Sequence, residues 1–348
     1  MRILVTGATG FVGCHAAAAL VRAGHDLRLL VRSPEKVAAT FAPLGVEPPT
    51  DVARGDITDP ISISTAAAGC DAVLHAASIF SFDRRQRESL RETNLAGTKN
   101  VIEAALAAGM DPIVHVSSYG ALLPVEPSGR LHPDAVPGSG VGPYTASKAD
   151  QERLARQYQA EGLPVVTVMP GSVWGPGDPY FGESDKLATS ILKGQSRALP
   201  ARKAFPIVDV RDLGEATARV FERGLGPRRY LLGGELVSPA AVADLLGQVT
   251  GRRCRYLTIT PTMGRQGGVA FELLQRVSPW RLPLTRESTL IGTQPITVVD
   301  DSRAALELGF QRRPLTETFA DTVRWLAETG RISPRRAGKL APIPAAVD

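Results

Sequence analysis

Residues 2–13 read RILVTGATGFVG and combine a short apolar strand, a glycine-rich turn and the start of a helix. Glycine permits positive φ and a close approach of the backbone to a ligand. A helix that starts at such a turn presents unpaired N–H groups, which suit a phosphate. The glycine spacing, G-x-x-G-x-x-G, differs from the more common G-x-G-x-x-G, and a tight turn without a ligand is the alternative. We expect the turn to hold a dinucleotide pyrophosphate through a phosphate loop made of Gly7, Thr9, Gly10, Phe11, Val12 and Gly13.

Short apolar runs alternate with helix-like segments from this loop to Met169. Strands are predicted at 2–6, 26–31, 51–54, 71–76, 112–117 and 164–169. Helices are predicted at 11–24, 34–42, 60–69, 84–109 and 144–162. Such alternation is typical of an α/β fold, here a Rossmann-type doubly wound parallel sheet with helices on both faces.

The length of 348 residues suits two domains. A dinucleotide-binding domain is expected at 1–169, with a return segment at about 205–225. A smaller C-terminal α/β domain that binds the substrate is expected at 170–204 and 226–330, followed by a basic tail at 331–348. The proline- and glycine-rich segment 120–143 interrupts the alternation, so we expect it at the rim of the cleft.

Composition excludes several classes of protein. The net charge is +5, but the 40 basic residues are interspersed with 35 acidic ones and aromatics make up 5%, so a nucleic-acid partner is not expected. Three cysteines and the histidines His15, His75 and His115 show no metal-ligand spacing, and no metal is expected. The sequence shows no signal-peptide layout and no apolar run long enough to span a bilayer. A cytoplasmic protein is therefore expected.

The end of the second predicted strand bears on the choice between NAD and NADP. An acidic residue there bonds the ribose hydroxyls of NAD, whereas an arginine accepts the 2′-phosphate of NADP. This chain has VRSPEK, with Arg32, Ser33 and Lys36 and no carboxylate, so NADP is favoured over NAD. After the third strand, Asp56 is placed to accept from the adenine amino group, with Ile57 beside it; a helix-capping role for Asp56 is the alternative.

Tyr144 and Lys148 lie four residues apart in PYTASK, and on a helix they share a face. An ammonium group about 5 Å from the phenol, at an effective dielectric constant of about 20, favours the phenolate by about 3 kcal/mol. The spacing therefore predicts a lowered Tyr144 pKa that suits proton exchange with a carbonyl oxygen. Taken alone the spacing is common, and a pair on a solvated helix face is the alternative.

These features together resemble the extended short-chain dehydrogenase/reductase superfamily over roughly residues 1–225. The resemblance rests on the glycine loop, Ser117-Ser118 after the fifth strand, and Tyr144 with Lys148. It implies that Tyr144 is the general acid/base, that Lys148 lowers its pKa and bonds the nicotinamide ribose, and that Ser118 holds the substrate oxygen. Strand alternation sends Ser117 and Ser118 to opposite faces without saying which one meets the cleft; the resemblance through SSYGA indicates Ser118.

Three further segments resemble family motifs. LHAAS at 74–78 implies that His75, Ala76 and Ala77 line the cofactor. NLAGTKN at 94–100 implies that Asn94 helps to order the site, and PGSVWGPGD at 170–178 implies that Pro170 and Ser172 lie near the nicotinamide amide.

Departures from the family patterns narrow the chemistry. SSYGALL lacks the acidic residues of nucleotide-sugar dehydratases. Ser172 stands where sugar-nucleotide epimerases commonly have asparagine, and Phe205 where they have a pyrophosphate-binding arginine, although Arg202 and Lys203 could substitute. The expected pocket rim is apolar and comprises Ile79, Phe80, Phe82, Tyr119, Trp174, Tyr180 and Phe181.

An apolar rim with an NADP preference resembles the dihydroflavonol reductase and aldehyde/ketone reductase branch, and also the hydroxysteroid dehydrogenase branch. We therefore expect an enzyme that transfers hydride between NADP and a carbonyl or secondary alcohol of a small, largely apolar substrate, with Ile79, Phe80 and Trp174 near that substrate. A sugar-nucleotide epimerase with bound NAD and a non-catalytic NADP-binding sensor are the alternatives. The resemblance also allows a homodimer.

Overall fold

The computed structural model describes residues 1–80, 87–200, 203–221, 226–260, 262–263, 266–267, 269 and 286–342. In chain order the strands are β1 (Arg2–Thr6), β2 (Asp26–Val31), β3 (Asp51–Arg54), β4 (Ala72–His75), β5 (Ile113–Val116), β6 (Arg130–Leu131), β7 (Val165–Pro170), β8 (Ser172–Trp174), β9 (Ala198–Pro200), β10 (Phe205–Asp209), β11 (Arg228–Leu232), β12 (Glu235–Val237), β13 (Leu257–Ile259) and β14 (Val298–Val299). The helices are α1 (Phe11–Arg22), α2 (Val37–Phe41), α3 (Pro60–Ala67), α4 (Arg87–Ala107), α5 (Pro143–Ala160), α6 (Glu183–Leu192), α7 (Val210–Ala218), α8 (Pro239–Thr250), α9 (Arg286–Ile291), α10 (Ser302–Leu308), α11 (Leu315–Glu328) and α12 (Pro334–Ala337).

Seven of the described strands form one sheet in the order β11-β7-β5-β4-β1-β2-β3, with every neighbouring pair parallel. The predicted doubly wound α/β fold is confirmed, and the predicted strand bounds differ from these by at most one residue at each end. Strands β4, β5 and β7 are buried along their whole length, as expected of parallel strands covered on both faces.

The strand order reverses between β1 and β4, where Thr6 pairs with His75. The connections from β1 run towards β3, whereas β4, β5 and β7 extend the sheet in the other direction. A crevice opens at the carboxyl ends of the strands at such a point, and ligands of open α/β sheets bind there.

Apolar helix faces cover both sides of this sheet. On one face α1 and α7 pack with strand residues such as Val5, Leu29 and Val114. The two helices can approach closely because Gly214 of α7 has no side chain. A Cβ there would lie only 2.9 Å from the carbonyl oxygen of His15 on α1. On the other face, α3, α4 and α5 bury side chains such as Ile63 and Ile102 against Val73 and Ile113.

A second hydrophobic cluster lies beyond the sheet, around the smaller sheet β12-β10-β8 and helices α6, α8 and α11. Trp174 and Phe319 form its centre, with their rings 4.9 Å apart. Two short parallel pairs complete the described strands: β9 pairs with β13, and β6 pairs with β14.

Within the segment at about 205–225 where the chain is expected to return, helix α7 packs on the main sheet beside α1, whereas strand β10 does not join that sheet. Strand β10 joins the smaller sheet with β8, and the return is made by helix α7 and then strand β11, which pairs with β7. The boundary expected at 226 therefore stands just before a strand of the larger sheet, because Tyr230 and Leu232 bury their side chains in the core beside β7.

Candidate active site

The turn between β1 and α1 lies directly against the end of β4. Gly7 has φ of +81°, and a Cβ there would lie 2.5 Å from the amide nitrogen of Ala77. A Cβ at Gly13 would lie 2.1 Å from the carbonyl oxygen of Gly7, so no larger residue fits at either position. Gly10 is the N-cap residue of α1 and supplies no capping side chain. The helix N-terminus is therefore presented to the cleft, as a pyrophosphate requires.

A cleft of about 2070 Å³ extends from this loop across the carboxyl ends of the strands to the smaller sheet. Most of the predicted cofactor and catalytic residues line it: Gly7, Thr9, Gly10, Phe11, Val12, Gly13, Arg32, Asp56, Ile57, Ala76, Ala77, Ser118, Tyr144, Lys148, Pro170 and Ser172. Ser33, Lys36, His75 and Asn94 do not line it.

His75 lies below the cleft, with 1% of its surface exposed. Its ring nitrogens lie 2.8 Å from Thr6 Oγ1 and 3.0 Å from Thr98 Oγ1. Burial and the charge of Lys148 lower the His75 pKa to about 3, so the ring is neutral. The expectation that this side chain faces the cofactor is wrong; its two threonine partners hold it inside the fold.

Asn94 is also fully buried and acts on the site from behind. Its Nδ2 donates to Ile79 O at 3.1 Å and to Ser147 Oγ at 3.1 Å, while Oδ1 accepts from Ile79 N at 2.7 Å. These bonds join the segment after β4 to helix α5. Asn94 therefore orders the site without lining the cleft.

At the adenosine end, Arg32 is exposed at the tip of β2 and lines the cleft. Lys36 lies outside the cleft, with Nζ 5.9 Å from the centre of the Tyr180 ring. Asp59 caps α3 by accepting from Ile61 N, whereas Asp56 Oδ1 accepts from Thr58. The capping alternative for Asp56 is thus excluded, and its carboxylate is available to a ligand in the cleft.

The Ser118 hydroxyl lies close enough to Tyr144 to lower the pKa of the phenol, and Ser118 Oγ accepts from Gly120 N at 3.0 Å. Ser117 also lines the cleft, but its hydroxyl lies beside the buried carboxyl group of Glu152. The structure thus places Ser118, and not Ser117, with the tyrosine.

The predicted lowering of the Tyr144 pKa is wrong for the chain by itself. Burial raises this pKa and the Glu287 carboxylate raises it further, although the nearby Ser118 hydroxyl opposes them. Lys148 Nζ donates to Val116 O at 3.3 Å, and burial lowers the Lys148 pKa to about 8 against the opposing charge of Glu152. The Coulomb argument neglected the cost of desolvating a phenolate, which is the largest influence on this pKa.

Glu287 is a site residue that the sequence did not indicate. Its Oε1 accepts from Thr145 N at 2.8 Å and Thr145 Oγ1 at 2.9 Å, and its Oε2 accepts from Tyr144 N at 3.3 Å. The carboxylate thus caps helix α5 beside the tyrosine, where a negative charge is favourable. It comes from a segment more than 140 residues away, so no local sequence pattern could have revealed it.

The apolar rim is largely present in the cleft. Ile79, Phe80, Tyr119, Trp174, Tyr180 and Phe181 line it, whereas Phe82 lies outside the described residues.

Two aromatic residues of this rim differ in their exposure. Phe80 is half-exposed and packs edge-on against Tyr144, with ring centres 4.6 Å apart. Trp174 is 1% exposed and belongs mainly to the core of the smaller sheet.

The position expected to carry an epimerase arginine holds Phe205, which is buried and forms part of the cleft wall. Of the two cations that could substitute, Arg202 lies outside the described residues, and Lys203 does not line the cleft. At this position the cleft wall therefore presents the apolar side chain of Phe205 in place of a cation.

Comparison with known proteins agrees with this geometry. The model of the NAD dependent epimerase/dehydratase family matches residues 3–233. The chain belongs to this family. Members of this family are NAD(P)-dependent enzymes, and family membership therefore supports a nicotinamide cofactor. No helix in the described part of the chain is long and apolar enough to cross a membrane.

Two relatives are similar over almost the whole chain. Sterol demethylase protein B of Methylococcus capsulatus is 30% identical, with 95% of this chain and 100% of the relative covered. A 4-hydroxy-2-methyl-3-oxo-4-farnesyl-3,4-dihydroquinoline-1-oxide ketoreductase of Stigmatella aurantiaca is 30% identical, with 97% of this chain and 100% of the relative covered. The crystal structure of gox2253 is 29% identical, with a TM-score of 0.78 and coverage of 95% of this chain and 99% of that chain.

The glycine cradle can be tested by adding one methyl group. We expect Gly13→Ala to weaken NADPH binding by about tenfold or more, because overpacking against the Gly7 backbone costs about 1–3 kcal/mol. Fluorescence titration of NADPH measures the change. Gly292→Ala is the matched control, since a Cβ at Gly292 meets nothing nearer than 3.5 Å. Equal affinities for the wild type and Gly13→Ala would contradict a pyrophosphate site at this loop.

Proposed function

We propose that the protein is an NADP-dependent oxidoreductase that transfers hydride between the nicotinamide and a carbonyl or secondary alcohol of a small, largely apolar substrate. The observation that carries this proposal is the pair of hydroxyl groups of Ser118 and Tyr144, which both line the cleft at the strand-order reversal, beside the apolar rim. Two hydroxyl groups at one point can hold and protonate one substrate oxygen.

The residues along the cleft support the binding of a dinucleotide. Gly7 and Gly13 leave room for the pyrophosphate, Arg32 is placed for a 2′-phosphate, and Asp56 for the adenine amino group. Pro170 and Ser172 line the far end, at the carboxyl end of β7 and the start of β8. When bound, the nicotinamide supplies or accepts the hydride.

The protein side chains supply the proton in this proposal. A raised pKa keeps Tyr144 as a neutral phenol at physiological pH, which is the form needed to donate a proton to a carbonyl oxygen. Ser118 holds the same oxygen, and Lys148, with a pKa of about 8, is largely cationic at neutral pH and stabilises the phenolate that donation leaves. In the oxidative direction the phenolate takes the proton back from the alcohol.

An apolar substrate is supported by the cleft wall and by a relative. Ile79 and Phe80 lie beside the tyrosine, and Trp174 and Phe205 form the opposite wall. The ketoreductase of Stigmatella aurantiaca is named for a farnesyl-substituted ketone. We infer that this chain accepts a ketone or aldehyde of similar apolar character.

A sugar-nucleotide epimerase is the second candidate, because the same hydroxyl pair could oxidise and then re-reduce a sugar. Several solved epimerases share the fold, among them PA4631, which is 26% identical with a TM-score of 0.72. Phe205 in place of an anion-binding arginine favours the reductase. Tightly co-purifying NAD, with isomerisation of a nucleotide sugar and no net NADPH consumption, would favour the epimerase.

The proposal is tested by removing one hydroxyl group. We expect Tyr144→Phe to lower kcat for ketone reduction by about 100-fold or more, since general acid catalysis contributes at least that much. NADPH binding should be nearly unchanged. Tyr119→Phe is the matched control, a buried tyrosine of the same cleft. A Tyr144→Phe enzyme with wild-type kcat would rule out the assigned role.

The NADP preference is tested at Arg32. Because charge-assisted hydrogen bonds contribute about 1.5–3 kcal/mol, we expect Arg32→Ser to raise the Kd for NADPH by about tenfold or more. The Kd for NADH should change little, as NADH lacks the 2′-phosphate. Arg54→Ser is the control, since Arg54 is exposed at the end of β3 but does not line the cleft. An equal loss for both cofactors would refute a 2′-phosphate contact.

Glu287 is proposed to position and tune Tyr144. Its negative charge raises the Tyr144 pKa, so we expect Glu287→Gln to shift the basic limb of the kcat/KM profile for ketone reduction to lower pH. The glutamine retains an acceptor for Thr145 N and loses only the longer bond from Tyr144 N, which keeps most of the helix cap. Glu103→Gln, at an exposed site on α4, is the control. If the basic limb of the kcat/KM profile does not move, Glu287 caps the helix but does not tune the Tyr144 pKa.

A further inference from the structure

Five arginines of the smaller part of the chain surround one cavity outside the active site. The cavity has a volume of about 230 Å³, and Ile191 and Leu192 belong to its wall. The arginines, here called the arginine rim, are Arg197, Arg252, Arg253, Arg255 and Arg336. All except the half-buried Arg336 are exposed.

The positive charge of the arginine rim is not neutralised within the described residues. There, no carboxylate oxygen lies within 4.0 Å of any of the five guanidinium groups. Two of the groups are held in place by backbone carbonyls, Arg197 by Gly194 O at 2.7 Å and Arg336 by Leu192 O at 2.8 Å. Other arginines, such as Arg303 with Asp134, lie in ion pairs. A cluster of uncompensated cations at one place favours an anionic partner.

An exposed apolar side chain, Leu257, lies next to the arginine rim, and another, Met263, lies at the active-site cleft. Leu257, two residues after Arg255, is 74% exposed, and Met263 is 55% exposed. The Leu257 amide donates to Arg197 O at 2.6 Å, which joins β13 to the residue preceding β9. The same surface therefore presents cations and large apolar groups together.

This surface is continuous with the mouth of the active-site cleft. Ile259 of β13, Met263 and the residues of β9 line the cleft that also contains Tyr144. A partner seated on the arginine rim and Leu257 would thus lie beside the entrance to the cleft.

We propose that this surface docks on an anionic lipid bilayer. Phosphate headgroups would lie against the arginine rim, with Leu257 and Met263 in the interface, since basic residues beside exposed apolar groups bind such membranes. The cleft mouth would then face the lipid from which an apolar substrate enters. Only this last point rests on the proposed function.

The experiment is vesicle flotation of the full chain, in which no turnover is needed. Vesicles of phosphatidylcholine alone are compared with vesicles in which half of the lipid is phosphatidylglycerol. We expect binding only to the anionic vesicles, with a loss of binding at high salt because the charges are screened. Removing charge in Arg253→Gln/Arg255→Gln should weaken this binding by about fivefold for each arginine. Neither side chain lines the active-site cleft.

Two further variants separate a membrane site from general charge effects. Arg54→Gln/Lys99→Gln also removes two exposed cations, but from β3 and α4, and should bind anionic vesicles like the wild type. Leu257→Ser should weaken binding while leaving the dependence on salt unchanged. Absence of binding to anionic vesicles, or equal losses in the two double variants, would overturn the proposal. So would binding to polyglutamate without binding to vesicles, which would indicate an acidic protein.

The outcome is distinguishable from failure of the proposed function. If the wild type binds anionic vesicles but reduces no ketone, the docking surface stands and the reductase assignment fails. If it reduces a water-soluble ketone but binds no vesicle, only the docking proposal fails. Where both hold, Arg253→Gln/Arg255→Gln should reduce a vesicle-embedded ketone more slowly while retaining the wild-type rate on the soluble one.

Discussion

The close approach of the β1–α1 turn to the end of β4 is the constraint on which the site depends. Gly7 allows this contact, because a Cβ there would lie 2.5 Å from Ala77 N, and Gly13 allows the turn itself to close, because its Cβ would lie 2.1 Å from Gly7 O. The contact sits where the strand order reverses, so the start of α1 and the ends of the strands face one crevice. Helix α1 is held in turn by α7, which approaches it at Gly214. The position of the phosphate loop therefore follows from backbone packing on two sides.

The start of helix α5 is held by parts of the chain that are far apart in sequence. Asn94 bonds Ser147 from α4, and Glu287 bonds Thr145 from α9. On the far side of the helix, Arg156 donates to Ala135 O at 2.8 Å, which joins the irregular segment after β5 to the same helix. The small residues between Tyr144 and Lys148 make these contacts possible, since larger side chains would keep the neighbouring elements away. The tyrosine hydroxyl is thus positioned by the surrounding fold and not by its own helix alone.

Burial and charge act in opposite directions on the tyrosine. An ammonium group on the same helix face favours a phenolate, but removal from water destabilises it, and burial is the largest influence on the Tyr144 pKa. Lys148 is affected by the same burial, which lowers its pKa to about 8. The result is a neutral acid beside a cation, an arrangement suited to giving a proton to a carbonyl oxygen. The spacing of two residues on a helix specifies neither how deeply the tyrosine is buried nor that the Glu287 carboxylate lies beside it. It therefore could not predict the direction of the Tyr144 pKa shift.

Local patterns were sufficient for six of the seven strands of the main sheet, the glycine-rich turn and the residues that share a helix face. These properties depend on the chemistry of neighbouring residues: apolar runs form buried strands, glycines permit the turn, and Tyr144 and Lys148 are one helical turn apart. Contacts between distant segments were not predictable in this way. The choice of Ser118 over Ser117 required the position of Tyr144, and the inward orientation of His75 required Thr6 and Thr98. The Glu287 cap and the uncompensated arginine rim depend on which charges meet after folding, because burial and electrostatic pairing arise only from the packed arrangement of the whole chain.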